Sequence, residues 1–184
     1  MYRHFTIPNF LSKSECIDIL NECKNTLTLT PAKVGTEESL NFKSRKSSVA
    51  FINDLGFLNN RLETILIDSV KVKGFSVSGL QPFQFTEYSV GEFYGWHKDS
   101  SVDNPTFSNR FYSTVIQLND EYTEGELQLN IDGNEITLEP GLGTLYMFPS
   151  YTLHQVKPIT SGVRYSLVNW VSLNKNLNEE KSLF

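Results

Sequence analysis

The chain has 184 residues, 39% of them apolar and 20% charged, which is ordinary for a soluble protein and enough to bury a real core. A net charge of −5 and a pI near 5.2 argue against a general nucleic-acid binder, which needs a basic face, although Lys43, Arg45 and Lys46 form a local basic patch. No apolar run is long enough to span a bilayer, and Met1 to Pro8 lacks the apolar region of a signal segment. A cytoplasmic protein with no membrane partner is therefore expected. The 13 Phe, 8 Tyr and 2 Trp suit a sheet-rich fold with an aromatic-lined interior.

In chain order, residues 5–10 read as a short first strand. Ser12 opens a helix, with Glu15 three residues on to complete a capping box, and Cys16, Ile19, Leu20, Cys23 and Leu27 keep helical spacing. Cys16 and Cys23, about 10 Å apart along that helix, are too distant for a disulfide and read as small core residues. Thr30-Pro31 stops the helix, and residues 31–44 read as a polar loop. Ser47–Ile52 reads as a strand. A second helix is expected from Asn53 or Asp54, with Leu58, Leu62, Ile65, Leu66 and Val70 as its buried stripe and Gly74 as its end.

From Phe75 the pattern changes to strands: 83–88, 94–99, 111–119, 126–131, 135–138, 144–148 and 163–173. Asp132-Gly133 is the strongest hairpin signal, and Ser100–Asn109 is a loop of small and polar residues. Many short strands with regular turns predict a mainly β protein with flanking helices, built as a double-sheet jelly roll or a barrel. The expected organisation is one domain over 1–184, with helical support to about residue 80 and a β core over about 80–175. On the last strand Arg164, Ser166, Val168 and Trp170 share one face, which suits the wall of a polar-tipped cavity. Tyr165, Leu167, Asn169 and Val171 share the other.

Chemistry concentrates in Tyr88-Ser-Val-Gly-Glu-Phe-Tyr94-Gly-Trp96-His97-Lys-Asp99, with His154 and Arg164. On an extended strand the spacing of His97 and Asp99 puts both side chains on one face. Of the three histidines, His4 lies outside this set. Two imidazoles and one carboxylate form a facial set that holds non-haem Fe(II) and leaves positions open. Zinc accepts the same donors, so the donors alone leave metal identity open. Arg164, ten residues after His154, is a fixed bidentate cation suited to a carboxylate ligand.

His-x-Asp, a distant His and an Arg ten residues on resemble the 2-oxoglutarate and Fe(II)-dependent dioxygenases. Gln84 to Asp99, Tyr122-Thr-Glu-Gly125-Glu-Leu127, Pro140 to Pro158 and Gly162-Val-Arg164-Tyr-Ser166-Leu-Val-Asn-Trp170 narrow this to the prolyl 4-hydroxylase-like branch. The resemblance covers roughly residues 80–173 and is nearest to that branch's compact bacterial and phage-type hydroxylases. It implies the double-stranded β-helix (cupin-like) form of jelly roll. It implies Fe(II) on His97, Asp99 and His154, with 2-oxoglutarate and O2 as co-substrates and ascorbate as a candidate reductant. Arg164 would pair with the C5 carboxylate of 2-oxoglutarate beside Tyr88 and Ser166. Gln117 stands where some relatives carry a second tyrosine for that carboxylate. Asp99 implies hydroxylation, since halogenating relatives lack this ligand. The Ser100–Asn109 loop would act as a lid over substrate.

Tyr94, Trp96, Arg110 and Trp170 are candidates to line the substrate pocket. Three readings follow. The first is a peptidyl hydroxylase acting on proline; the second hydroxylates a small molecule such as a free amino acid or nucleobase. The third is a non-catalytic cupin-like binding module, against which the intact ligand set and Arg164 argue.

Overall fold

A computed structural model describes residues 4–34, 41–69, 75–101 and 107–175. The chain runs β1 (Phe5–Ile7), α1 (Lys13–Thr26), β2 (Thr30–Pro31), β3 (Arg45–Lys46), β4 (Ser48–Ile52), α2 (Phe57–Ser69), β5 (Phe75–Leu80) and β6 (Phe83–Tyr88). It continues through β7 (Phe93–His97), β8 (Arg110–Gln117), β9 (Tyr122–Glu124), β10 (Leu127–Ile131) and β11 (Asn134–Thr137). The last strands are β12 (Leu145–Pro149), β13 (Leu153–Val156), β14 (Ile159–Gly162) and β15 (Arg164–Lys175).

Two antiparallel sheets face each other. The major sheet has the order β1-β12-β8-β15-β6-β4-β2, with β5 also on β15; the minor sheet runs β11-β10-β13-β7-β3. A small β9–β14 pair lies beside them. This is the expected double-stranded β-helix. The long central β15 is its spine, pairing β8 on one side and β5 and β6 on the other.

The alternation on β15 separates two cores. Tyr165, Leu167 and Val171 point toward the helices and join Cys16, Ile19, Cys23, Leu58, Leu62 and Leu66. The helices thus cover the outer face of the major sheet with their apolar stripes. The opposite face looks between the sheets, where Val115, Leu127, Leu129, Tyr146 and Phe148 pack. Both cysteines are free and fully buried in the first core, as the sequence reading has it.

Helix α1 starts as expected. The Ser12 hydroxyl accepts from the Glu15 amide, and the Glu15 carboxylate accepts from the Ser12 amide. The second helix begins later than the sequence spacing predicts. Asp54 accepts the Gly56 amide in a tight turn, Asn59 accepts the Leu55 amide, and Gly56 has φ of 55°, which no helix tolerates. The first helix ends at Thr26, and Thr30-Pro31 is a short strand on β4 rather than the stop itself. Val70, Gly74, residues 35–40 of the predicted loop and residues 102–106 of the predicted lid lie outside the described residues.

The predicted strand over 47–52 forms as β4, and a short strand the sequence did not suggest precedes it in the other sheet. Arg45–Lys46 pairs β7 in the minor sheet, and Ser48–Ile52 pairs β6 in the major one. The chain changes sheets at Ser47, which places Arg45 against the metal-ligand strand. The Asp132-Gly133 hairpin forms as predicted, with both residues at positive φ and the Asn130 side chain accepting the Gly133 amide. Strands β13 and β14 are too short and too polar to carry a periodic signal.

Candidate metal centre and cavity

His97 ends β7, and His154 is its direct register partner on β13. Their rings lie 4.1 Å apart. The predicted strand through Asp99 ends instead at His97, and Asp99 lies in the bend that follows. Its amide donates to the Ser150 carbonyl at 2.9 Å, which turns the chain so that the carboxylate still meets both rings. His97 Nε2 lies 3.5 Å from Asp99 Oδ1, and His154 Nε2 lies 3.5 Å from Asp99 Oδ2. All three donors fall within 4.8 Å of one another. Ligand atoms roughly 2.1 Å from a common ion and adjacent in its shell stand about 3 to 3.5 Å apart, so the spacing fits one metal ion.

Each ring is oriented from behind. His97 Nδ1 donates to the Gly95 carbonyl and His154 Nδ1 to the Thr152 carbonyl, both at 2.8 Å. A carbonyl only accepts, so the proton sits on Nδ1 and the Nε2 lone pair is left for a metal. Burial, reinforced by the neighbouring His154, pushes His97 down to about 4, so its ring is neutral at pH 7. Burial would push the Asp99 carboxyl up, but His154 and His97 more than offset this and hold it well below the usual carboxylate range. Ser113 Oγ donates to Asp99 Oδ2 at 2.6 Å and lies 2.9 Å from Ser150 Oγ. Tyr94 stacks on His97 at 3.4 Å, and the Arg45 guanidinium covers the other face of Tyr94 at 4.4 Å. Phe148 meets His154 edge-on at 4.7 Å.

These donors open on a cavity of about 540 Å3 between the sheets. Tyr88, Arg164, Ser166 and Val168 line its inner end; Tyr94, Arg110 and Trp170 line its walls. Arg164 is 2% exposed. Its Nη1 donates to Ser166 Oγ at 3.3 Å, its guanidinium lies 5.5 Å from the Tyr88 ring, and its Nε has no hydrogen-bond partner. Among the described residues no carboxylate forms a salt bridge with it. A buried guanidinium without a counter-ion is costly, and the cavity in front of it is where an anionic ligand would remove that cost.

The predicted site residues divide. Tyr88, Tyr94, His97, Asp99, Arg110, His154, Arg164, Ser166 and Trp170 all line the one cavity. Two do not. Gln117 is buried, with its amide donating to the Asn119 and Tyr165 carbonyls at 3.0 Å, so it is bound into the sheet and absent from the cavity wall. Trp96 is 37% exposed and points away from the cavity, because alternation along β7 puts it on the face opposite His97. Sequence reasoning missed Ser113 and Ser150. Small hydroxyls on or beside a β-branched strand carry no signal of their own, and only the fold brings them behind Asp99.

A double-stranded β-helix whose cavity carries two imidazoles, one carboxylate and a buried guanidinium has the donor set of a mononuclear non-haem metal centre. Comparison with known proteins agrees. A family model for the 2OG-Fe(II) oxygenase superfamily matches residues 83–172. A PKHD-type hydroxylase of Synechococcus sp. (strain CC9605) is 37% identical over 134 residues, covering 68% of this chain and 58% of that protein. A second, from Idiomarina loihiensis, is 30% identical over 126 residues, covering 65% and 58%. The chain therefore spans somewhat over half the length of these relatives.

Among solved structures, a Pseudomonas putida prolyl-4-hydroxylase shares the fold with a TM-score of 0.74 at 22% identity, covering 94% of this chain and 93% of that one. A Trichoplax adhaerens prolyl hydroxylase, solved with a peptide of hypoxia inducible factor, does so with 0.77 at 20% identity, covering 98% and 86%. Residues 83–172 thus match the 2OG-Fe(II) oxygenase superfamily, and the chain shares its fold with the solved prolyl hydroxylases. The superfamily's Fe(II) and 2-oxoglutarate fit the residues present: three donors with free Nε2 and carboxylate positions, and an unpaired cation in the same cavity. Among the described residues no helix is long and apolar enough to cross a membrane.

Proposed function

We propose that this chain is an Fe(II)- and 2-oxoglutarate-dependent hydroxylase acting on a prolyl residue in a peptide or protein. The observation that carries the reading is the buried Arg164 guanidinium, which has no counter-ion among the described residues and shares a cavity with His97, Asp99 and His154. His97, Asp99 and His154 hold the iron. Arg164, with the Tyr88 ring beside it and Ser166 steadying its Nη1, receives the far carboxylate of 2-oxoglutarate. When bound, the iron and 2-oxoglutarate supply the oxidising chemistry: O2 is consumed, succinate and CO2 leave, and a substrate C–H becomes C–OH.

The protein's own work is positional. Ser113 Oγ fixes the Asp99 carboxylate, the Ser150 carbonyl fixes the Asp99 backbone amide, and the Gly95 and Thr152 carbonyls fix the two imidazoles. Val115, Leu127, Val156 and Val168 give the cavity apolar wall surface. Tyr94 and Trp170, on opposite walls, bound the approach to the metal. Burial pushes the Tyr94 hydroxyl up to about 12, so it stays protonated at neutral pH.

A peptide substrate is supported by the exposed residues among those lining the cavity. The cavity runs outward from the metal donors to Thr30, Pro31, Lys33 and Phe51, all exposed, so a chain can lie across it. The prolyl hydroxylases that share the fold support the residue type. The second reading, hydroxylation of a free amino acid or nucleobase, draws on the volume of the cavity, which is ample for a small molecule.

The test is anaerobic addition of Fe(II) and then 2-oxoglutarate, followed by a screen of proline-containing peptides with O2 and ascorbate. A visible charge-transfer band that weakens in Arg164→Ala, and a peptide gaining one oxygen, are expected. Iron binding without any such band would remove the 2-oxoglutarate assignment. A band with oxidation of free amino acids alone would move the substrate to the second reading.

A further inference from the structure

The charge of the cavity is opposite to that of the chain. Among the described residues lining it, Lys33, Arg45, Lys98, Arg110 and Arg164 are cations, and Asp99 is the one anion. The whole chain carries −5. If the proposed ligands are bound, the formal charges of Fe(II), Asp99, dianionic 2-oxoglutarate and Arg164 cancel. Lys33, Arg45, Lys98 and Arg110 remain, and among the described residues lining the cavity no anion is left to neutralise them. Among the described residues none of the four forms a salt bridge.

Two of these cations are held rigidly. The Arg110 guanidinium lies 3.6 Å over the Trp170 ring and 4.4 Å from the Phe107 ring. Its Nε donates to Gln81 Oε1 at 3.0 Å, and its Nη1 reaches the Asp99 carbonyl at 3.4 Å, which sets it beside the metal donors. Arg45 is 6% exposed, donates through Nε to Ser47 Oγ at 2.9 Å and lies over Tyr94. Lys33 and Lys98 are exposed on the rim. A guanidinium fixed by stacking is preorganised for a carboxylate, while mobile rim lysines add attraction at longer range. Phe51, 57% exposed, lies among them and offers apolar contact.

We infer that the substrate segment is acidic: its target residue is flanked by Asp or Glu side chains that lie against Arg110, Arg45, Lys33 and Lys98. The inference rests on the hydroxylase reading and names the substrate class of the same site. Charge complementarity of this kind raises the rate of encounter and selects among sequences more than it adds affinity.

Binding of fluorescent peptides, read by anisotropy on protein with Mn(II) and 2-oxoglutarate to prevent turnover, tests it without relying on catalysis. Three peptides share a central proline and differ only in having Glu, Gln or Lys on both sides. The Glu peptide should bind about tenfold tighter than the Gln peptide at low salt, and the gap should narrow as salt rises. Lys33→Glu and Lys98→Glu, both on the exposed rim, should together erase or reverse the preference. Equal binding of the Glu and Gln peptides, or a preference untouched by the double variant, would overturn the inference. So would displacement of the Glu peptide by a single-stranded oligonucleotide at lower concentration, which would make the site one for nucleic acid. Failure of hydroxylation with the acidic preference intact would count against the hydroxylase reading alone.

Discussion

Arg164 and Tyr88 are register partners across β15 and β6, and the guanidinium lies 5.5 Å from the phenol ring. Cross-strand pairing therefore fixes the cation at the inner end of the cavity, and Ser166, two residues along the same face, steadies it. Arg164→Lys keeps the charge but loses the planar fork. It should raise the 2-oxoglutarate concentration for half-maximal turnover by at least about tenfold, the equivalent of ~1.4 kcal/mol. A titration of 2-oxoglutarate against succinate release checks this. An unchanged half-maximal concentration would take Arg164 out of the binding role.

Ser113 holds the oxygen of Asp99 that also faces His154. Ser113→Ala removes that donor and leaves a hydroxyl-sized gap next to Ser150. Loss of a group orienting a metal ligand typically costs about 10- to 100-fold in metal affinity. Competition of the variant with a metal chelator should show a drop in that range, with thermal stability of the metal-free protein little changed. Wild-type metal affinity would reduce Ser113 to packing.

Gly125 sits at φ of 72° between β9 and β10, and a Cβ there would run into the Ile159 side chain and stand 3.5 Å from Arg164 Cδ. Gly133 has a similar φ of 87°, with nothing within 4 Å of the same added atom. Both alanine variants incur the left-handed strain of about 1 to 2 kcal/mol, and only Gly125→Ala adds a clash. Gly125→Ala should therefore melt lower than Gly133→Ala. The added atom would only touch the Arg164 stem at an ordinary packing distance, so 2-oxoglutarate binding should be little changed in either variant.

Glu15 links the two helices. Its carboxylate accepts from Arg61 Nη2 at 2.6 Å and Nη1 at 3.1 Å, and from the Ser12 amide at 2.8 Å. The Arg61 hydrogen bond, then that of Ser12, lowers its pKa from 4.5 to about 2. A carboxyl depressed in the folded state contributes its full stability above the unfolded value and loses it as pH falls toward the folded one. Glu15→Gln should cost about 0.5 to 1 kcal/mol at pH 7, a modest figure because both side chains are partly exposed. The difference from wild type should shrink below pH 4.5 and vanish near 2. Denaturant unfolding across that range measures it.

The sequence alone determined the local features. Capping at Ser12, the helical stripe of Cys16, Ile19 and Cys23, the Asp132-Gly133 turn and the two faces of β15 all follow from residue chemistry and period within a few positions. The metal donors were legible too, because only two histidines fall in the motif and their order with Asp99 and Arg164 is distinctive. The tertiary structure decided what depends on pairing between distant strands. It set His154 directly opposite His97, closed Asp99 onto both through Ser150, and brought Ser113 behind the carboxylate. It also spent the Gln117 amide on two backbone carbonyls and turned Trp96 to the outside, two side chains whose residue type had fitted the site. The physical reason is the same throughout. Alternation says which residues share a face, but register and the bends between strands decide which faces meet, and those are set by contacts tens of residues apart.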